Sequence, residues 1–157
     1  MTQTIIVADD HPLFRAALKQ AVNQAVPDAE TVEVDSIKAL QAAVESHPDA
    51  DLILLDLNMP GMHGIDLLME LKKLAAQSER DVEVIVVTAY GSTRTAVDAM
   101  MKGAANYVLK PFDNDELKMV VRRALGRRAL AAENRLLKAQ LRDQYHFGNL
   151  IGSSPAM

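Results

Sequence analysis

Short apolar runs alternate along the chain with longer amphipathic segments, and this alternation constrains the fold more than any other feature. The runs have strand length and are rich in valine, isoleucine and leucine, whereas the segments between them repeat apolar residues at helical spacing. We predict strands at Thr4–Ala8, Thr31–Asp35, Asp51–Asp56, Val82–Thr88 and Asn106–Lys110. We predict helices at Pro12–Ala25, from a cap at Ser36 through about Ser46, at Gly64–Ala76, from about Ser92 to Lys102 and from Asp113 to about Gln144.

Five strands that alternate with five helices indicate an α/β fold with right-handed crossovers and a mostly parallel sheet. Helices cover both faces of a central parallel strand, so such a strand has a continuous apolar sequence. The stretches "IIV", "LILL" and "VIVV" have this character. In contrast, "TVEVD" alternates apolar and polar residues, which is typical of an edge strand. We therefore predict a doubly wound sheet with the second strand at an edge.

The composition excludes several classes of function. The 157 residues are enough for one domain with a modest extension, and 49% apolar with 24% charged residues is ordinary for a globular protein. A formal net charge of −4 argues against a dominant nucleic-acid-binding surface. The absence of cysteine excludes disulfides and thiolate metal sites. No stretch has the roughly 18 apolar residues of a membrane span, so we expect a cytoplasmic protein.

Polar and charged residues stand at the ends of four predicted strands. The first strand is followed by Asp9 and Asp10, and the third ends in Asp56. The fourth ends in Thr88 and the fifth in Lys110. Open parallel sheets bind ligands at the carboxyl ends of their strands. We therefore expect three carboxylates, one hydroxyl and one ammonium to meet at one edge of the sheet.

This set of side chains suits phosphoryl chemistry. Three neighbouring carboxylates repel one another, and Mg²⁺, which prefers oxygen ligands, relieves that repulsion. One carboxylate can act as a nucleophile and form an aspartyl phosphate, and Asp56 is the best candidate because it ends the central strand. Lys110 and Thr88 would then stabilise the phosphoryl oxygens.

Each residue alone also has an ordinary structural explanation. The pair Asp9 and Asp10 could cap the following helix, and Asp56 could be a loop carboxylate. A haloacid dehalogenase-type phosphatase also uses an aspartate nucleophile. Its nucleophile lies on the first core strand and its acidic pair comes last, whereas here the pair comes first and Asn58 replaces the second aspartate of the motif. The order of the motifs therefore disfavours that enzyme class.

The motifs "ADD", "LLDLNMPGMHG", "VTAYGS" and "NYVLKPF" resemble those of the receiver domain of bacterial two-component response regulators. The resemblance covers about residues 3–126. It implies a flavodoxin-like (βα)5 fold with strand order 2-1-3-4-5 and a phosphorelay signalling role, in which the domain catalyses its own phosphoryl transfer and dephosphorylation without being an enzyme. The phosphodonor would be a partner histidine kinase.

The resemblance also implies how the residues divide the work. Asp56 would be the phosphoacceptor. Asp10 and Asp56 would bind Mg²⁺ directly, the backbone carbonyl of Asn58 would be a third ligand, and Asp9 would help through water. The only cofactor implied is Mg²⁺.

The same family assigns roles to residues of the fourth and fifth strands. Thr88 and Lys110 would bind the phosphoryl group, and the peptide bond between Lys110 and Pro111 would be cis. Tyr107 matches the switch aromatic, which turns inward when Thr88 moves towards the phosphoryl group. A half-buried strand tyrosine is the alternative interpretation of Tyr107.

The sequence after Gly126 remains helical and carries a short heptad pattern. Leu130 and Leu137 fall at d positions, and Asn134 and Leu141 fall at a positions. A buried asparagine at a favours a parallel two-stranded register, so we predict a homodimer joined through this seam. A plain amphipathic helix is the alternative.

We therefore divide the chain into a receiver domain (1–126), a coiled-coil-like linker helix (127–145) and the start of a truncated output ATPase domain (146–157). The last two segments resemble sigma-54 activators of the nitrogen-regulator type, whereas the first half of the receiver also resembles LuxR-type regulators, as in a natural mosaic or an engineered fusion. No G-x-x-x-x-G-K motif and no helix-turn-helix segment occur. Contacts with DNA and sigma-54 polymerase would belong to missing domains, and no membrane partner is expected. A receiver-like dimerisation module that is never phosphorylated is the alternative function.

Overall fold

The computed structural model describes residues 2–61, 64–77, 82–89 and 92–150, which form five strands and five helices in strict alternation. The strands are β1 (Thr4–Ala8), β2 (Glu30–Val34), β3 (Leu52–Leu55), β4 (Glu83–Thr88) and β5 (Asn106–Leu109). The helices are α1 (Pro12–Ala25), α2 (Ile37–Ser46), α3 (Gly64–Gln77), α4 (Thr93–Met101) and α5 (Asn114–Leu150).

The five strands form one sheet in the order β2-β1-β3-β4-β5, and every neighbouring pair is parallel. The register aligns Val32, Ile6, Ile53 and Val84 in one row across the first four of these strands. Both the predicted strand order and the edge position of β2 are confirmed. All five carboxyl ends therefore lie along one edge of the sheet.

Side chains that alternate along each strand feed two separate cores. Ile6 and Ile53 pack with α2, α3 and α4 on one face. Ile5 and Leu52 pack with α1 and α5 on the other face. β1 and β3 are buried along their whole length, which explains why their sequences are continuously apolar. This double covering holds the strand ends at a fixed spacing.

Most predicted elements differ from the observed ones by one residue at one or both ends, and the end of α5 differs by about six residues. β2 begins at Glu30 rather than Thr31 because the Glu30 N–H donates to the Gln3 carbonyl at 2.8 Å, and it ends at Val34 rather than Asp35. α5 continues beyond Gln144 to Leu150, since a single glycine in a helix costs only about 1 kcal/mol and need not end it. Residues 151–157 of the predicted output segment lie outside the described residues.

The second half of α5 leaves the body of the domain. Leu117, Val121 and Ala124 are fully buried. Leu125 is also buried, and beyond it the described side chains are exposed, with Ala139 partly covered. Where the helix departs, the Arg127 guanidinium donates to the Ala105 carbonyl at 2.9 Å. Among the described residues, no helix is long and apolar enough to cross a membrane.

Candidate functional site

The end of β1 places Asp9 under the sheet edge and Asp10 at its rim. Asp9 is fully buried, and its backbone N–H donates to the Val34 carbonyl at 3.1 Å. Its Oδ1 accepts a hydrogen bond from the His11 N–H at 2.8 Å. The Asp10 side chain remains 31% exposed. The residue at the N-cap of α1 is His11, so neither aspartate occupies the capping position that the structural alternative required.

Asp56 follows β3 at the centre of the same edge and is 3% exposed. Its backbone N–H donates to the Ala8 carbonyl at 3.0 Å, which ties it to the end of β1. Its Oδ1 accepts from the Asn58 N–H at 3.0 Å, and its Oδ2 accepts from Lys110 Nζ at 3.3 Å. Both carboxylate oxygens therefore have partners, and the side chain has a defined orientation.

Lys110 connects the two buried carboxylates. Its Nζ lies 2.5 Å from Asp9 Oδ2 and 3.3 Å from Asp56 Oδ2, and the side chain is 3% exposed. The ammonium also stands over the ring of Phe14, 4.6 Å from the ring centroid, which is a cation–π distance. The peptide bond between Lys110 and Pro111 is cis, as the family resemblance implied.

The site contains more negative than positive charge. Burial raises the pKa of the Asp56 carboxyl, and neighbouring Asp9 also raises it, whereas the Asn58 N–H and Lys110 lower it. One ammonium thus faces two buried carboxylates and the nearby Asp10. Because an uncompensated buried charge is costly, this edge of the sheet favours an additional cation.

The donor atoms fit a divalent metal ion. Asp9 Oδ2 is buried and makes the ion pair with Lys110 without a hydrogen bond of regular geometry. Ligand atoms of Asp9, Asp10 and His11 all lie within 4.8 Å of one another. Carboxylate oxygens are the ligands that Mg²⁺ prefers, whereas an imidazole is better suited to a transition metal. No metal-ligand spacing in the sequence identified His11 as a member of this cluster.

Thr88 joins the site through Asn58. Thr88 is fully buried at the end of β4, and its Oγ1 accepts a hydrogen bond from Asn58 Nδ2 at 2.5 Å. The sequence had suggested only the backbone carbonyl of Asn58 as a functional atom. The side-chain contact spans 30 positions, so no local pattern could have revealed it.

Tyr107 lies on β5, which is two strands from β3 in the sheet. The side chain is half-buried against the core face that α2, α3 and α4 cover, and burial raises the pKa of its phenol. It lines a cavity of about 580 Å³ between α4, β5 and the start of α5. The other lining residues are Ser92, Thr93, Ala96, Leu109, Pro111 and Glu116.

The predicted dimer seam is also separate from the acidic edge. Leu130 is 66% exposed, Leu137 50% and Leu141 64%, and Asn134 is exposed as well. Their spacing of four, three and four puts them on one side of the helix. A row of exposed leucines is unusual for a solvated helix, but the residues described here belong to a single chain, so the seam remains a prediction.

Comparisons with known proteins agree with this geometry. The response regulator receiver domain family matches residues 5–122. The regulatory protein AtoC of Escherichia coli K12 is 37% identical over 154 residues, or 98% of this chain and 32% of AtoC. The nitrate/nitrite response regulator protein NarL of the same strain is 35% identical over 141 residues, or 88% of this chain and 63% of NarL.

Solved structures agree as well. The crystal structure of NtrX from Brucella abortus matches with a TM-score of 0.76 at 29% identity, covering 87% of this chain and 30% of NtrX. The chain spans about a third of the length of AtoC. Receiver domains are signalling domains of two-component systems that interact with histidine kinases and bind Mg²⁺ at an acidic pocket. The sheet order, the acidic edge and the family match together establish that this chain belongs to the response regulator receiver domain family.

Proposed function

We propose that this chain accepts a phosphoryl group from a histidine kinase on Asp56. The observation that carries the proposal is the location of the buried polar residues. Among the described residues these are Thr4, Asp9, Asp56, Thr88 and Lys110, and all except Thr4 lie at the carboxyl edge of the sheet. Burying charged groups costs free energy, so a cluster of them at one edge of the sheet points to a functional site.

In the proposed step, a carboxylate oxygen of Asp56 attacks the phosphorus of a phosphohistidine. The new P–O bond forms as the P–N bond breaks and its electron pair stays on the ring nitrogen. The imidazole, already protonated on its other nitrogen, leaves as a neutral group, and an acyl phosphate remains on Asp56. Lys110, already 3.3 Å from Asp56 Oδ2, would neutralise the phosphoryl oxygens. The Thr88 hydroxyl would donate a hydrogen bond to one of them.

Mg²⁺ would be held by Asp10, Asp56 and the backbone carbonyl of Asn58, with Asp9 contributing through water. When bound, the ion would neutralise charge on the phosphoryl oxygens. Asp9 is suited to the indirect role because Lys110 already occupies its Oδ2. The same residues would support hydrolysis of the acyl phosphate, so the domain would also remove its own phosphoryl group.

The output would follow from a switch at Thr88. To reach the phosphoryl group, the Thr88 hydroxyl must leave its hydrogen bond with Asn58 Nδ2. We infer that this movement allows Tyr107 to turn inward from the cavity beside α4. A two-state equilibrium at the α4 and β5 surface would then shift with phosphorylation.

In a longer protein, the receiver (1–126) would control a transcription-activating output through the linker helix (127–145). Residues 146–157 would begin that output, which would contact DNA and sigma-54 polymerase. Two copies would pair through Leu130, Asn134, Leu137 and Leu141. We place the protein in the cytoplasm, where a histidine kinase can reach Asp56.

Intact mass spectrometry after incubation with acetyl phosphate tests the proposal. We expect one phosphoryl adduct on the wild type with Mg²⁺, and none with EDTA or on the Asp56→Asn variant. Asp51→Asn is a matched control, because Asp51 lies at the opposite end of β3 and accepts a hydrogen bond from Thr4. It should be modified like the wild type.

The alternative is a dimerisation module that is never phosphorylated. Such a module would explain the exposed leucines of α5 equally well. A wild-type protein that binds Mg²⁺ and dimerises, yet forms no adduct, would favour that module. An adduct that survives in Asp56→Asn would instead show that another residue is the acceptor.

A further inference from the structure

Arg15, which is not among the predicted site residues, makes a hydrogen bond to the backbone between Asp9 and Asp10. Arg15 lies on the first turn of α1, and its Nη1 donates to the main-chain carbonyl of Asp9 at 3.0 Å. The Asp9 N–H and Oδ1 are held separately, by the Val34 carbonyl and the His11 N–H. With Oδ2 paired to Lys110, the main-chain carbonyl is the remaining polar group of Asp9, and Arg15 restrains it.

The guanidinium is itself fixed from the neighbouring strand. Its Nε lies 3.6 Å from Glu33 Oε1 on β2, and the Arg15 side chain is only 23% exposed. The other oxygen of Glu33 pairs with Lys19 at 3.2 Å. The arginine is thus held between the edge strand and the loop, whereas Lys19 makes its ion pair further along α1.

The restrained carbonyl belongs to the peptide unit between Asp9 and Asp10. Because a peptide unit is planar, the direction of this carbonyl sets the plane, and with it ψ of Asp9 and φ of Asp10. These two angles determine where the Asp10 carboxylate points. Asp10 is 31% exposed at the rim, so it has less packing than Asp9 to hold its direction.

We propose that Arg15 is a positioning residue that orients the Asp10 carboxylate for Mg²⁺. The inference rests on the proposed function, since it assumes that Asp10 is a ligand. Groups of this kind, which orient a ligand without touching the metal, commonly change metal affinity by about tenfold or more. Arg15 acts through the backbone rather than by direct contact.

Because Arg15 is charged, the direction of the change in Mg²⁺ affinity distinguishes a positioning role from an electrostatic one. A cation beside an acidic pocket repels Mg²⁺, so removal of the charge by itself should strengthen Mg²⁺ binding. Loss of the orienting hydrogen bond should weaken it. The two effects of the same substitution are therefore opposite, and a purely electrostatic role predicts the opposite result from a positioning role.

Isothermal titration calorimetry of the full chain with MgCl₂ tests the proposal. We expect Arg15→Ala to weaken Mg²⁺ binding by about tenfold and Arg15→Lys, which keeps a donor and the charge, to recover part of the loss. Lys19→Ala removes a cation from the same helix and ion-pair chain without a contact to Asp9, so it should bind Mg²⁺ like the wild type. Equal or tighter binding by Arg15→Ala would overturn the proposal.

Two further measurements separate the causes of failure. If the wild type binds no Mg²⁺, the proposed function fails before Arg15 is in question. If Arg15→Ala does not fold, as judged by circular dichroism, Arg15→Met takes its place, because it keeps most of the side chain's apolar length and removes both the donor and the charge. We expect Arg15→Met to weaken Mg²⁺ binding by about tenfold, and equal or tighter binding by that folded variant would also overturn the proposal.

Discussion

The carboxyl edge of the sheet and the second half of α5 depart from ordinary burial in opposite directions. At the edge, charged residues are inside: Asp9 is 0% exposed, Asp56 3% and Lys110 9%. On the helix, leucines are outside, with Leu130 66% and Leu141 64% exposed. Charged residues are rarely buried unless they are paired, and rows of exposed apolar residues commonly mark contact surfaces.

The two regions differ in whether a single chain supplies the partners of their side chains. Lys110 supplies the buried carboxylates with a partner from the same molecule. The leucines of the helix would need a partner from another molecule. Substitutions at the edge should therefore change the stability of the monomer, whereas those on the helix should change association and leave the monomer folded.

The largest effect should come from removal of the cation at the edge. Lys110→Met leaves two buried carboxylates without their shared counter-charge, and breaking a buried pair in this way costs about 3–5 kcal/mol. Urea unfolding in EDTA measures the change. Lys19→Met removes an exposed lysine that is also ion-paired, to Glu33, and should cost less than about 1 kcal/mol. Similar losses in the two variants would show that the edge is not a special electrostatic environment.

The next effect should appear on the helix. Leu137→Asp puts a charge at a d position of the seam and should weaken homodimerisation by about a hundredfold, because each of the two copies loses ~1.5 kcal/mol or more of apolar burial. Sedimentation equilibrium measures the dissociation constant. Leu136→Asp is the matched control, since Leu136 is comparably exposed, at 60%, but lies at a c position. Equal losses from both substitutions would contradict the heptad register.

A smaller effect, of opposite sign, should follow from removal of one carboxylate. Asp56→Asn keeps the side-chain shape and leaves Lys110 paired with Asp9. Because burial raises the pKa of Asp56, its ionisation opposes folding. We expect the variant to be more stable than the wild type by about 1 kcal/mol at neutral pH without metal, as measured by urea unfolding.

The pH dependence of that gain has a definite direction. In the unfolded chain Asp56 ionises near its ordinary pKa of 3.8, and in the folded chain at a higher pH. Between the two values the folded state binds more protons, so the stability of the wild type falls as the pH rises through this interval. The asparagine variant lacks this term. Its advantage should vanish in acid below the unfolded value and be complete above the folded one.

An effect of similar size, but confined to one place, should come from the junction between the two regions. Arg127→Ala removes the hydrogen bond from the guanidinium to the Ala105 carbonyl and should cost about 1 kcal/mol. Hydrogen exchange should then become faster around Ala105 and in the adjoining turn of α5. Arg123→Ala removes an exposed arginine and should change stability by less than about 0.5 kcal/mol. Faster exchange throughout the sheet in Arg127→Ala would mean that the two regions are not separable.

Much of the fold could be predicted because the strands that matter are buried on both faces. β1, β3 and β4 consist largely of continuous apolar residues, and such a pattern has few alternatives. β2 begins one residue earlier than predicted because an edge strand alternates between polar and apolar residues, and its limits depend on hydrogen bonds to β1. α5 ends later than predicted because the glycine and serine content near its end is typical of a linker, whereas the helix accommodates Gly148.

The site was predictable where position follows from topology. Asp9, Asp56 and Lys110 follow or end parallel strands, so the rule for sheet edges brings them together from the sequence alone. The contacts of Arg15 with the Asp9 carbonyl and of Phe14 with Lys110 depend on side-chain directions across separate elements. No periodicity encodes these directions. An arginine one turn into the helix after an acidic pair is the signal that could have suggested the first contact.

The most direct test is to identify the carboxylate that carries the phosphoryl group. The wild type, treated with acetyl phosphate and Mg²⁺, is reduced with borohydride, which converts a phosphorylated aspartate to homoserine. Trypsin cleavage after Arg15, Lys38 and Lys72 separates Asp9 and Asp10 from Asp56. We predict homoserine at position 56 and unmodified aspartate at 9 and 10. Modification at Asp9 or Asp10, or none in a folded protein that binds Mg²⁺, would contradict the assignment of Asp56 as the acceptor.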